Sequence, residues 1–183
     1  MKTLSGLAAA LLLLCISAPA TAQSSTPRTF AVSLMGGLGG AIDEGDAGYD
    51  NTRFQIGLSV QTEANSKVAV RIGSYDFGSG ESLGDAFEPK LDYATIGGEY
   101  SFNDGTYTSG VFVGLGAYRL EATEAFTGAD ISTTRVGLTA GATGEFDVTQ
   151  RLSLIGELSA HILPSGEAQF FAGGLVGLQF YIR

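Results

Sequence analysis

Downstream of residue 22 the chain alternates between apolar and polar residues, and no stretch keeps a helical spacing. Phe54, Ile56, Leu58 and Val60 alternate with Arg53, Gln55, Gly57, Ser59 and Gln61. Leu152, Leu154, Leu158, Ala160 and Ile162 oppose Arg151, Ser153, Glu157, Ser159 and His161. Val136, Leu138, Ala140, Ala142 and Phe146 oppose Arg135, Thr139, Thr143 and Glu145. A period of two belongs to a β-strand, whose successive side chains leave opposite faces. Eight such segments are expected, at about 29–41, 52–62, 67–77, 90–102, 108–120, 132–146, 151–163 and 169–182.

The connections between these segments alternate in length. Long ones are expected at 42–51, 78–89, 121–131 and 164–168, and short ones at Asn65, at Asp104-Gly105 and across 147–150. Asn103-Asp104-Gly105 suits a tight hairpin, because Asp-Gly accepts the positive φ of such turns. Long loops at one end and short turns at the other are the pattern of a transmembrane β-barrel, whose strands need about 9–11 residues to cross. A soluble barrel with its apolar face inward is the competing fold. Three features favour lipid. The polar face is rich in glycine and poor in large apolar groups, so it would make a weak soluble core. The strands are long and uniform. Aromatic residues also gather near strand ends, where interfacial girdles sit. Phe30, Tyr100, Phe102, Phe146 and Phe180 are expected in one girdle; Phe54, Tyr75, Phe77, Tyr93, Tyr118, Phe170 and Phe171 are expected in the other. Leu58, Leu138 and Leu154 should then face lipid, with Ser59, Thr139 and Ser153 inside. The fold class expected is all-β: an eight-stranded antiparallel up-and-down transmembrane β-barrel.

The first residues carry a separate message. Met1-Lys2 precedes an apolar run from Leu7 to Ile16, and Pro19-Ala20-Thr21-Ala22 offers a small-x-small cleavage site. This is the pattern of a secretory signal peptide, and the run is too short to span a bilayer as a helix. The domain reading is therefore 1–22 signal peptide, cleaved, and 23–183 barrel. Cys15 lies within the signal, so the mature chain has no cysteine and no disulfide or thiolate chemistry. Its nine basic residues stand against 19 acidic ones, a net charge of −10. That balance argues against a nucleic-acid partner, which calls for a basic surface.

Gly177-Leu178-Gln179-Phe180-Tyr181-Ile182-Arg183 resembles the C-terminal signal of outer-membrane barrels, with Leu178, Phe180 and Ile182 alternating. Ile182 replaces the usual final aromatic and Arg183 extends past it. With the eight-strand layout, the whole mature chain resembles the small outer-membrane barrel superfamily, that of outer membrane proteins A and X and the outer membrane protein beta-barrel domain family. The resemblance implies a bacterial outer-membrane location with both termini in the periplasm. It implies insertion by the barrel assembly machinery, contact with outer-membrane lipid and lipopolysaccharide, and a monomer. It does not fix the function.

Three constellations bear on function. Arg71 and Glu99 lie on neighbouring strands at similar depth, with Glu157 across the lumen at a similar level; Glu145 and Arg151 straddle the third turn and can pair there. A barrel of eight strands is just wide enough to be filled by its side chains, and buried charges must pair. The cluster is thus either a polar plug or a charge gate in a narrow pore, and the narrow lumen favours the plug. Two carboxylates around Arg71 would leave an excess of negative charge. Acidic residues crowd the long connections, among them Asp43, Glu44, Asp46 and Asp50, but they form only a fragment of a calcium loop, so no metal or cofactor site is assigned. His161, Ser165 and Glu167 stand close in sequence. Lipid A deacylases use Ser-His-acid chemistry with Ser two residues after His on one strand face; here Leu163 takes that position. The expected function is non-enzymatic, structural or surface-interacting. A narrow porin-like channel and a lipid A-modifying enzyme are the alternatives.

Overall fold

The computed structural model describes residues 29–41, 51–76, 87–102, 107–124, 130–164 and 169–182. The expected signal peptide 1–22, the expected turn at Asn103-Asp104-Gly105, Phe77, Ser165, Glu167 and the acidic run 43–50 lie outside them. The described residues form eight strands: β1 Phe30–Ala41, β2 Asn51–Glu63, β3 Ser66–Asp76, β4 Phe87–Ser101, β5 Tyr107–Glu124, β6 Asp130–Asp147, β7 Leu152–Leu163 and β8 Gln169–Ile182. Each pairs antiparallel with the next, and β8 pairs back onto β1 from Phe30↔Ile182 to Ala41↔Phe171, closing a barrel. Closure removes the unpaired edges that an open sheet would present to lipid.

The alternation resolves into an apolar outside and a polar inside. Leu34, Leu58, Ile72, Ile96, Leu115, Leu138, Leu154, Leu158 and Val176 are all exposed on the outer face. Arg53, Gln55, Arg71, Glu99, Thr139, Glu145, Ser153, Glu157 and His161 are buried within. A soluble protein does not show water a contiguous apolar belt of this extent, so the outer wall faces lipid. The alternating residues of the last strand conform: Leu178, Phe180 and Ile182 all point outward.

Strand length departs from the expected uniformity. β5 and β6 each run 18 residues and remain paired to Thr123↔Asp130, and β4 begins at Phe87. Glu88, Glu121, Glu124 and Asp130, expected in connections, belong to strands. Charged residues do not end the ladder, because backbone pairing needs no apolar side chain. The outward residues mark the boundary: Ala94, Ala117 and Val136 are followed by Asp92, Arg119 and Thr134.

The short turns are held by their own polar side chains. Gln61 donates from Nε2 to the Ala64 carbonyl at 3.0 Å beside a register shift in β2. The Thr149 hydroxyl accepts from the amides of Arg151 and Leu152 at 3.2 and 3.1 Å.

Candidate functional site

The inward face of the alternation packs the lumen in layers. The uppermost, at the loop end, is an aromatic cap: Tyr75, Leu91, Tyr93, Tyr118, Leu163 and Phe171 form one buried cluster. Four of these aromatics were expected in the outer girdle, and the structure corrects that. Phe54 and Phe170 do face outward, but Tyr75, Tyr93, Tyr118 and Phe171 point into the barrel. Each lies on the inward phase of its strand. Glycines on neighbouring strands make room for them: a Cβ on Gly73 would strike the Tyr93 ring, and one on Gly137 the Tyr118 ring.

Arg53 and His161 sit under the cap. Arg53 donates from Nη1 to Ser159 Oγ at 2.6 Å and from Nη2 to the Tyr93 hydroxyl at 2.8 Å. Its guanidinium lies 4.7 Å from the Tyr75 ring centroid. His161 Nε2 is 3.1 Å from Arg53 Nη2, and Nδ1 is 2.9 Å from the Tyr118 hydroxyl. A guanidinium only donates, so Nε2 accepts and the imidazole is neutral, with its proton on Nδ1 toward Tyr118. Tyr118, and not a carboxylate, is thus the group at Nδ1. Ser159 lies two residues before His161, and its Oγ is 3.4 Å from Nε2.

Below this layer the charges join into a ladder. Arg53 Nη2 is 3.6 Å from Glu157 Oε1. Glu157 Oε2 accepts from Arg71 Nε at 3.0 Å and from Gln55 Nε2 at 3.1 Å. Arg71 Nη2 donates to Glu99 Oε2 at 2.9 Å, and its guanidinium lies 3.9 Å from the Phe112 ring centroid. Glu99 Oε1 accepts from Thr143 at 2.9 Å and lies 3.6 Å from Lys67 Nζ. Lys67 Nζ reaches Glu145 Oε2 at 3.5 Å, and Glu145 also accepts from Gln179 at 3.0 Å and from the Tyr181 hydroxyl.

Arg71, Glu99 and Glu157 therefore meet in one network. The excess negative charge expected around Arg71 is absent. Arg53 joins from the loop end and Lys67 from the turn end, so three cations face Glu157, Glu99 and Glu145. Arg151 stands apart. It is exposed at the turn, and the cation beside Glu145 is Lys67. Sequence reasoning missed Arg53 and Lys67 because both lie near strand ends, where a long basic chain usually turns to water. Their phase was the available signal: Arg53 alternates with Phe54 and precedes Gln55, and Lys67 lies four residues before Arg71. Among the described residues no group of three His, Cys, Asp or Glu side chains gathers as a metal site.

Residues 8–179 match the family model described as outer membrane protein beta-barrel domain. No curated protein matches the chain. Among solved structures it is similar to Neisserial surface protein A, with a TM-score of 0.71 at 14% identity, covering 84% of this chain and 97% of that one. It is also similar to Ail, the attachment invasion locus protein of Yersinia pestis (TM-score 0.54, 13% identity, 83% and 97% covered). A third is the N-terminal β-barrel domain of Pseudomonas aeruginosa OprF (TM-score 0.52, 12% identity, 82% and 97% covered). At such identities the likeness is one of fold.

Proposed function

The chain belongs to the outer membrane protein beta-barrel domain family of the bacterial outer membrane, and from that premise we propose that it is a closed, non-enzymatic barrel carrying its long connections at the cell surface for contact with other molecules. The observation that carries this reading is the charge-balanced ladder from Arg53 to Glu145 under an aromatic cap. A pore needs a continuous wet path, and here side chains bonded to one another cross the lumen from Arg53 to Glu145. The surface role draws support from the neighbours, one named a surface protein and another an attachment protein, and from the extension of β4 to β6 past the apolar belt. Against an enzyme stands the setting of His161, which is buried and engaged at both ring nitrogens by Arg53 and Tyr118. A nucleophilic serine needs an accessible imidazole oriented by a carboxylate.

Single-channel recording on refolded protein in planar bilayers tests the closed barrel. A flat baseline is expected. Regular conductance steps would overturn it in favour of a narrow channel.

A further inference from the structure

At the loop end one strand has an edge with nothing beside it. β5 accompanies β6 up to Thr123↔Asp130, but β7 leaves β6 at Leu138↔Ile162. Nearer the wall the Arg135 side chain reaches Gln169 of β8 at 3.4 Å. From Asp130 to Thr134, among the described residues, no strand pairs with β6 on its β7 side. Hydrocarbon does not accept unpaired backbone groups, and Ser132, Thr133 and Thr134 are exposed polar residues. This edge therefore meets water.

The register decides which groups the edge presents. The Phe102 amide donates to the Ser109 carbonyl at 2.8 Å, so odd-numbered residues of β5 bond to β4 and even-numbered ones to β6. With Thr108 opposite Glu145, odd-numbered residues of β6 bond to β5, and this ladder runs without a register shift to Asp130. Asp130, Ser132 and Thr134 thus turn their N–H and C=O groups to the open side. The Val148 amide, bonded to the Leu152 carbonyl at 3.0 Å, keeps the same phase toward β7. The opposite edge of this sheet is guarded. β3 follows β4 to Asp76↔Lys90, and the next residue of β4 that faces that way is Pro89, which has no N–H. The β6 edge carries no proline, lysine or bulge, the devices that keep edges from pairing. Ile131, Thr133 and Thr134 are β-branched and suit a strand.

We propose that the β6 edge takes up an extended, basic segment of another protein as an added strand, with its backbone bonded to Asp130, Ser132 and Thr134. Only an extended backbone offers donors and acceptors at the spacing of such an edge. The sign of the partner follows from charge. Arg119 and Glu121, the register partners of Thr134 and Ser132, are paired to each other at 2.9 Å. Asp130 remains as the edge's own charge, on a chain that is acidic as a whole. The proposal names a partner for the surface role proposed above. The closure read by conductance does not depend on it, so the two fail separately.

The test is fluorescence anisotropy on protein refolded in a neutral detergent, titrated against a labelled peptide of alternating Lys and Val. The peptide should bind. Ser132→Pro removes an edge donor that the β5 ladder does not use, so the variant should fold and bind about tenfold more weakly, the cost of one backbone hydrogen bond left unmade. Ser132→Ala keeps that N–H and should bind as the unaltered protein does. A Lys-Val peptide with N-methyl groups along one edge should lose about tenfold, and so should an alternating Glu-Val peptide. The N-methyl comparison needs no variant and decides the matter alone if Ser132→Pro does not fold. No binding, or equal binding by Ser132→Pro or by the N-methylated peptide, would overturn the proposal, the latter two by showing attraction to charge without strand addition. Equal binding of the Glu-Val peptide would overturn the basic partner. A dimer that Ser132→Pro dissolves would make a second copy the occupant and overturn it as well.

Discussion

Glu157 brings four inward side chains together: Gln55 and Arg71 donate to it, Arg53 faces it, and Arg71 carries the contact on to Glu99. Removing Arg71 strips both acids of a buried counter-charge and takes a guanidinium off the Phe112 ring. Arg71→Ala should therefore lower the unfolding free energy by about 3–5 kcal/mol, as for breaking a buried pair, read from urea titration in lipid vesicles. A loss below about 1 kcal/mol would show that water already screens the ladder. The tyrosines show what was legible at this scale. Nearness to a strand end argues that Tyr75, Tyr93 and Tyr118 face the interface, whereas alternation puts them in phase with Arg71, Thr95 and Gly116. The alternation wins, because a strand cannot turn one side chain without turning its neighbours. The partners of each charge across the lumen were not legible, since they depend on barrel stagger, which no single strand encodes.

β7 displays the two faces side by side. Leu154 and Leu158 face lipid, while Ser153 and Glu157 are buried inside, with the Ser153 hydroxyl donating to Asp147 at 2.7 Å. The register sets Leu154 opposite Phe146, in the aromatic belt of the turn end, and Leu158 opposite Ala142, nearer the middle of the wall. An arginine at the midplane costs about 2–4 kcal/mol and near an interface about 0–1 kcal/mol. Leu158→Arg should thus destabilise clearly more than Leu154→Arg in the same urea assay. Equal costs would mean that the belt is not centred on Leu158. The eight strands were legible from their period. Their ends at β4 to β6 were not, because Glu121 and Asp130 read as loop residues although the β5–β6 ladder runs on beside them.

The described strands are asymmetric in their connections, with the short turns, the start of β1 and the end of β8 at one end. A nonspecific protease added to intact cells should cut within 42–50, 77–86 or 125–129 and spare the turns at Asn65 and Thr149. Cuts at those turns would reverse the orientation. The same asymmetry was readable in the spacing of the strands, but the way the lumen is filled was not. Around the wall neighbouring strands are joined mainly by backbone bonds, a ring that could flatten into an oval. The ladder ties β3 to β7 on the opposite side of the ring, β2 to β7 and, through Lys67 and Glu145, β3 to β6, so it crosses the ring in three places. These ties act as transverse struts. They hold the cross-section round when lateral pressure in the bilayer changes, and they keep the ends of the strands at a fixed spacing.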